Sequence, residues 1–267
     1  MRHQQLFSDS MFAPVPASAA AVNATSTVQV DRAVILKALT LLSNQPGVID
    51  HIIINGFDLV WSTAGFPISA FAQVNALSSE NNALIGLYPG QTAIFQTTLD
   101  AAGVIRGAWG TDDIRNDSKL AVLIDSLVNS GVEPGNVKWL FGMGRQAIGA
   151  GVTATFTATA KAPGNGPGAL IADIPAAAAL GDLELIDVQI GNKSQLVRQG
   201  AAPLEAFTAD NFNRCGLYIG KQLANNTPVS VTVRNNSAGA LPVGLGFIRT
   251  ANQVAAELTA LAGRVGV

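Results

Sequence analysis

The sequence predicts an all-β protein with minor helix, built as two tandem antiparallel β-sandwich units. Three observations predict it. From Val152 to Ala160 every even residue is apolar (Val152, Ala154, Phe156, Ala158, Ala160) and every odd one is threonine. Strand side chains alternate between faces, so this is a strand with one buried and one polar side. Lys161-Ala-Pro-Gly-Asn-Gly-Pro-Gly168 follows at once, and its prolines lack the N–H that a ladder needs. Finally, Gly86-Leu-Tyr-Pro-Gly90 and Gly216-Leu-Tyr-Ile-Gly220 share Gly-Leu-Tyr-x-Gly at a separation of 130 residues. The expected division is an N-terminal arm over 1–24, a first unit over 25–160, a linker at 161–168, and a second unit over 169–267 ending in a helical segment.

Composition narrows the class. A chain of 267 residues is long enough for two domains of ordinary size. Charged residues make up 13% of it, against about 25% in typical soluble domains. That is too little charge to cover an isolated surface, and burial in subunit contacts is the simplest remedy. Mean hydropathy is positive at +0.32, yet no uninterrupted apolar run approaches the ~20 residues that span a bilayer. Sixteen basic and eighteen acidic residues give a net charge of −2 without a lysine or arginine cluster, which argues against nucleic-acid binding. The one cysteine, Cys215, excludes an intrachain disulfide framework and reads as a packed thiol. Met1 to Phe7 lacks the apolar core of a secretory signal, so the Asn-x-Ser/Thr triplets at Asn23, Asn116, Asn192, Asn225 and Asn235 read as turn asparagines. Synthesis and assembly in a cytoplasm are expected.

In chain order, Met11 to Val22 holds two prolines and no sustained period, so the arm is expected to be extended or irregular. Its apolar character fits either a neighbouring subunit, a lipid surface, or a partly ordered tail. Val28 and Val30 alternate with Thr27 and Gln29. Ala33 to Leu42 fits either a buried strand or a short helix. Asn44-Gln-Pro-Gly47 is a turn, and Val48 to Trp61 reads as one long strand bent at Asn55-Gly56. Thr92 to Leu99 is a further strand, turned by Asp100-Ala-Ala-Gly103. Asn116 and Ser118 offer caps, with Leu120, Leu123, Ile124 and Leu127 at helical spacing before Asn129-Ser-Gly131. Val137–Met143 and Val152–Ala160 read as a β-pair. Beyond the linker, Leu183 to Ile190 is β-like and Gly191-Asn192 turns it. Val229–Arg234 and Leu241–Ile248 read as a hairpin, and Gln253–Val265 as a short helix.

Residues for chemistry are few. His3 lies in the arm, and His51 adjoins Asp50 without a Gly-x-Ser-x-Gly elbow or an evident nucleophile. Zinc needs three or four ligands at useful spacing, which are missing. Gly142-Met-Gly-Arg-Gln-Ala-Ile-Gly149-Ala-Gly151 follows an apolar stretch as a dinucleotide loop would. Its spacing is wrong, however, and a strand rather than a helix follows, so a turn with close backbone approach is expected. Asp112, Asp113 and Asp117 lack the EF-hand spacing and read as a solvated, helix-capping loop, with cation binding by 112–117 left open. Trp61, Trp109 and Trp139 are dispersed beside apolar strands, not gathered into a sugar-stacking groove. No catalytic, cofactor-binding or metal residue is assigned, no cofactor is expected, and the chain is not expected to be an enzyme.

Two tandem β-rich units, a glycine/proline hinge, an apolar arm and low charge density together resemble a family. They are similar to the double jelly-roll major capsid proteins of icosahedral bacteriophages, especially the small ones of corticovirus-like phages with an internal membrane. The resemblance covers the whole chain, about 25–160 as one unit and 168–250 as the other, and rests on architecture and size. It implies a homotrimer of pseudo-sixfold outline assembling into a virion shell with other virion proteins. Strands would stand upright to the shell, and the arm would face the interior and its membrane. One departure matters: the second unit, at about 83 residues, is short for eight strands of five or six residues plus turns. Either its loops are minimal or the hinge lies inside a single larger sandwich. A phage tail, spike or decoration protein and a carbohydrate-binding β-sandwich are the alternatives.

Overall fold

The computed structural model describes residues 6–9, 22–27, 34–54, 56–69, 85–87, 92–101, 105–113, 119–132, 139–196, 200–208, 217–249 and 251–267. Antiparallel sheets dominate, with minor helix. The chain divides into two compact units. The first comprises Met1–Leu59, Ser78–Trp139 and Arg249–Val267, and the second Val60–Leu77 and Leu140–Ile248.

The first unit carries β1 (Leu6–Asp9), β2 (Val22–Thr27), β3 (Val34–Ser43), β4 (Gly47–Ile54), β5 (Phe57–Asp58), β6 (Ile85–Leu87), β7 (Thr92–Leu99) and β8 (Ile105–Asp113), with helices α1 (Lys119–Asn129) and α2 (Ala251–Val265). Its sheets run β1-β8-β3-β6 and β2-β7-β4-β5. The second unit carries β9 (Leu140–Ile148), β10 (Thr153–Thr159), β11 (Gly168–Asp173), β12 (Leu183–Ile190), β13 (Lys193–Ser194), β14 (Tyr218–Ile219), β15 (Pro228–Asn235) and β16 (Leu241–Ile248). Its sheets run β9-β16-β11-β14 and β10-β15-β12-β13. Adding eight to each label of the first unit reproduces these paths in the second, which carries in addition the two-residue strands Phe66–Pro67, Gly164–Asn165, Ala202–Pro203 and Gln222–Leu223. The two-unit, all-β prediction therefore stands in a stronger form than the pentapeptide echo gave it.

Period-two patterns fill the space between the second unit's two sheets. Val229, Val231 and Val233 of β15 are buried, as are Phe156 and Ala158 of β10 and Leu183, Leu185, Val188 and Ile190 of β12. From the other sheet come Phe141, Leu170, Val243, Leu245 and Phe247. Each full burial of such a side chain contributes about 1.5–3 kcal/mol. Trp61 meets Phe141 edge-on at 5.1 Å between ring centres, a preferred aromatic geometry. It arrives on residues 60–69, which bond to the second unit's strands: Trp61 N–H donates to Leu140 O, Thr63 N–H to Thr159 O, and Gly144 N–H to Gly65 O. The sheet face under this segment is kept bare by glycine. A Cβ on Gly246 would lie 2.6 Å from the Phe66 ring, and one on Gly142 would overlap the backbone of Ala64 and Gly65.

Several expectations are corrected. Residues 161–168 are no linker: Gly164–Asn165 pairs with Gln222–Leu223 and Gly168 opens β11. The division falls at Trp139/Leu140 and again at Ile248/Arg249. The first unit therefore ends well before 160, and the second begins well before 169. The reason is that β10 takes its ladder from β15, so the proline/glycine run is a turn inside a unit. Borrowing β9 and β10 also removes the shortage of strands in the second unit. The C-terminal helix belongs to the first unit instead. Within the expected 1–24 arm, Leu6–Asp9 pairs with β8, and Val22–Thr27 pairs with β7; residues 10–21 lie outside the described residues.

Two expected β-pairs are also re-routed. β9 pairs with β16, and β10 with β15, so the turns at 149–152 and 236–240 carry the chain from one sheet to the other. An alternating pattern reports a buried face but not its neighbour. The long strand expected over 48–61 is a hairpin, β4–β5, because Gly56 takes φ +85°, a value open to glycine and costly for other residues. The ambiguous stretch from Ala33 resolves as the strand β3. The helix expected from Leu120 to Leu127 is α1, with Ile124 and Leu127 fully buried. In α2, Leu258 is buried, and the fully buried guanidinium of Arg249 pairs with the Glu257 carboxylate.

Candidate functional site

The strongest polar constellation is one that the fold builds twice. β4 carries a bulge between Ile49 and His51, and β12 carries one between Leu185 and Asp187. Burial along the two strands runs identically: buried, half-buried, buried, half-buried, half-buried, buried, half-buried, from Gly47 and from Leu183. The extra residue (Asp50 or Ile186) breaks the alternation, so two successive side chains leave the core. In the first unit His51 Nδ1 lies 2.5 Å from Asp58 Oδ2, and Asp58 Oδ1 accepts the Ile52 N–H at 3.3 Å. In the second unit Asp187 accepts the Ser194 hydroxyl at 2.6 Å, the Gln189 amide at 2.7 Å and the Val188 N–H at 2.8 Å. Both partners shift by the same 136 residues, 51 to 187 and 58 to 194. Each pair ties a bulged strand to the short strand that folds back beside it.

Electrostatics distinguish the copies. Burial pushes the Asp187 carboxyl upward, but donation from Ser194, Gln189 and Val188 together outweighs it and holds the group below the usual carboxylate range. An open cleft of about 380 Å³ adjoins it, lined by Ile186, Asp187, Ser194, Leu196, Gly200, Ala201 and Arg234. Arg234 Nη1 stands 3.9 Å from Glu184. The Asp187 oxygens are committed within the hairpin, which limits what they can offer a ligand.

The sequence reads His51 as a structural or surface residue without a nucleophile or elbow beside it, and the duplicated geometry gives that role a form, a fastening to Asp58. Its counterpart is a carboxylate, its partner's counterpart a hydroxyl, and the fastening survives the exchange. Asp50, beside it, accepts the Thr98 hydroxyl at 2.7 Å, joining β4 to β7.

A further, half-buried ion pair lies in the second unit. Arg145 on β9 and Asp173 on β11 both sit opposite Gly244 of β16. The glycine leaves room for Arg145 Nε to come within 3.7 Å of Asp173 Oδ2. Burial raises the Asp173 carboxyl, opposed by Ser69 and Arg145, and burial lowers the Arg145 guanidinium, opposed by Asp173. Pro67 lies over Gly244.

Asp112 and Asp113 lie in β8, paired with Ile35 and Val34, and not in the expected loop. His3, Asp117, Tyr88 and Cys215 lie outside the described residues. Leu87 ends β6 and Tyr218 opens β14, the same edge position in the two strand orders. Gly142 to Ile148 is strand, bulged between Gly142 and Gly144, with the turn confined to 149–151. Trp61 and Trp139 are buried, and Trp109 lies in β8. Among the described residues no cluster of three or more His, Cys, Asp or Glu side chains could hold a metal ion, and no helix is long and apolar enough to cross a membrane.

Sequence reasoning missed the Asn235-Asn236 clamp. The Asn235 side chain is fully buried, and its amide donates to Ile148 O and Gly239 O at 2.8 Å. Its backbone N–H donates to Val152 O, and that of Asn236 to Asp182 O. These bonds draw the 149–152, 174–182 and 236–240 loops to one end of the unit. The exposed residues there include Ala150, Val152, Ala176, Ala177, Ala179, Ala238 and Leu180, the last 87% exposed. The signal was the second asparagine, too much for a plain turn. The chain matches no protein-family model, no curated protein and no solved structure.

Proposed function

We propose that this chain is a structural protein that assembles into a bacteriophage capsid shell, each unit being a jelly roll. The repeated strand order carries the proposal. Eight strands in two four-membered paths, β1-β8-β3-β6 with β2-β7-β4-β5 and the same again eight labels later, match jelly-roll connectivity. That architecture serves viral shells as well as lectins and cupins. Tandem duplication and 13% charge favour the shell among these. The exposure of Leu180 among alanines at one loop end of the second unit adds to this.

In this reading the partner is the chain itself, as a homotrimer and then an icosahedral lattice with other virion proteins. The N-terminal residues face an internal membrane, the site of action is the virion, and no catalysis is involved. Assembly takes place in the host cytoplasm. Negative-stain microscopy and light scattering of the purified chain at micromolar concentration test it. Discrete trimers or shells are expected; a monodisperse monomer overturns the proposal.

A further inference from the structure

We propose that β10 is a docking edge for a second copy of this chain, pairing antiparallel with its own counterpart about a two-fold axis at Thr155. β10 ends the β10-β15-β12-β13 sheet. Its backbone groups can be assigned to sides. Ala160 N–H donates to Thr227 O, and Val152 O accepts from Asn235 N–H, so even-numbered residues face β15. Pro228, which has no N–H, sits opposite Thr159, as that phase requires. Thr159 faces the other way: its N–H donates to Thr63 Oγ1 at 2.9 Å and its carbonyl accepts the Thr63 N–H. By alternation, Thr153, Thr155 and Thr157 also present N–H and C=O to the sheet edge.

Among the described residues, Ser62 and Thr63 cover this edge only at Thr159 and Ala160. The remaining stretch lacks the usual protections. Thr153-Ala-Thr-Phe-Thr157 holds no lysine, proline, bulge or charge, and all three threonines are exposed. Such an edge is a template for another strand.

The sequence itself names the occupant. With the axis at Thr155, Thr153 falls opposite the partner copy's residue 157, Thr155 opposite its own counterpart, and Thr157 opposite residue 153. Each of these three pairs exchanges two backbone hydrogen bonds. Every threonine side chain meets a threonine on the polar face, a favourable cross-strand pairing. On the core face Phe156 meets alanine, large against small. The partner strand starts at its own residue 153, so it stops short of Thr159 and leaves the Thr63 bonds intact. The contact is isologous and closes with two copies, so it does not rest on shell formation.

The test is charge at the axis, with the full-length chain in sedimentation experiments. T155K and T155E each place like charges face to face, and each is expected to weaken this pairing by about tenfold or more. Their equimolar mixture is expected to recover it as a heterodimer. Hydrogen exchange of the unmodified chain gives a second reading. On dilution the amides of Thr153, Thr155 and Thr157 should lose protection, while those of Ala154, Phe156 and Ala158, held by β15, keep it. Undiminished pairing of either variant, a mixture no better than its parts, or concentration-independent exchange at the three threonines overturns the proposal. Undiminished two-fold pairing in T155K alongside intact trimers or shells sinks the edge contact and leaves the shell reading standing, whereas lost pairing with trimers intact upholds both.

Discussion

Asp187 shows how a single side chain can carry a turn. Its three donors hold the carboxyl below its usual range despite burial. A carboxylate depressed in the folded state stabilises the fold above its unfolded pKa, and that contribution is lost as pH falls through the folded value. S194A removes the hydroxyl donor, so the Asp187 titration should move upward and its share of acid-range stability should shrink. Carbon-detected NMR titration of the carboxyl measures this directly; an unmoved midpoint would count against the latch. His51 and Asp58 hold the equivalent place in the first unit. Neither latch was legible in the sequence, because its partners belong to different strands and neither position keeps its residue type between copies. His51, read alone, suggested only a structural or surface role; its counterpart at 187 shows what the position fastens.

Individual elements were largely legible, their partners far less so. Alternation is local, so β10, β12 and β15 could be read from residues such as Phe156, Leu185 and Val231. Pairing is global: β9 and β10 adjoin in sequence, yet each finds its ladder across the unit in β16 and β15. The bulges hid the repeat as well. Asp50 and Ile186 interrupt the period, so Gly47–Ile54 and Leu183–Ile190 look unrelated until their burial is compared. The proline/glycine run was correctly seen as a ladder break but mistaken for a boundary. Among the helices, α2 is fixed by charge as well as packing. Arg249 is fully buried, and Glu257 supplies its carboxylate. E257A would leave a buried guanidinium without that counter-charge, a change that costs about 3 kcal/mol or more. The loss should appear in the urea midpoint, with E257Q, which keeps an acceptor, falling between the two. Equal stability of E257A and the unmodified chain would mean that the pair is immaterial.

At the scale of the whole molecule, the path of the chain matters more than its strand count. Residues 60–77 belong with 140–248, and 249–267 belong with the residues before 140. A cut after Trp139 therefore gives two halves, each holding a piece of the other's unit. Expressed separately, 1–139 and 140–267 should both lack cooperative unfolding transitions; expressed together, they should recover them. A sharp transition in either half alone would show that its missing piece is dispensable. During synthesis the consequence is a reversed order of completion. Domains generally fold in turn as they leave the ribosome, but here the second unit has all its residues once β16 is made, and the first only after the segment that follows it. A chain that stops before Arg249 lacks the last segment of the first unit and cannot finish it.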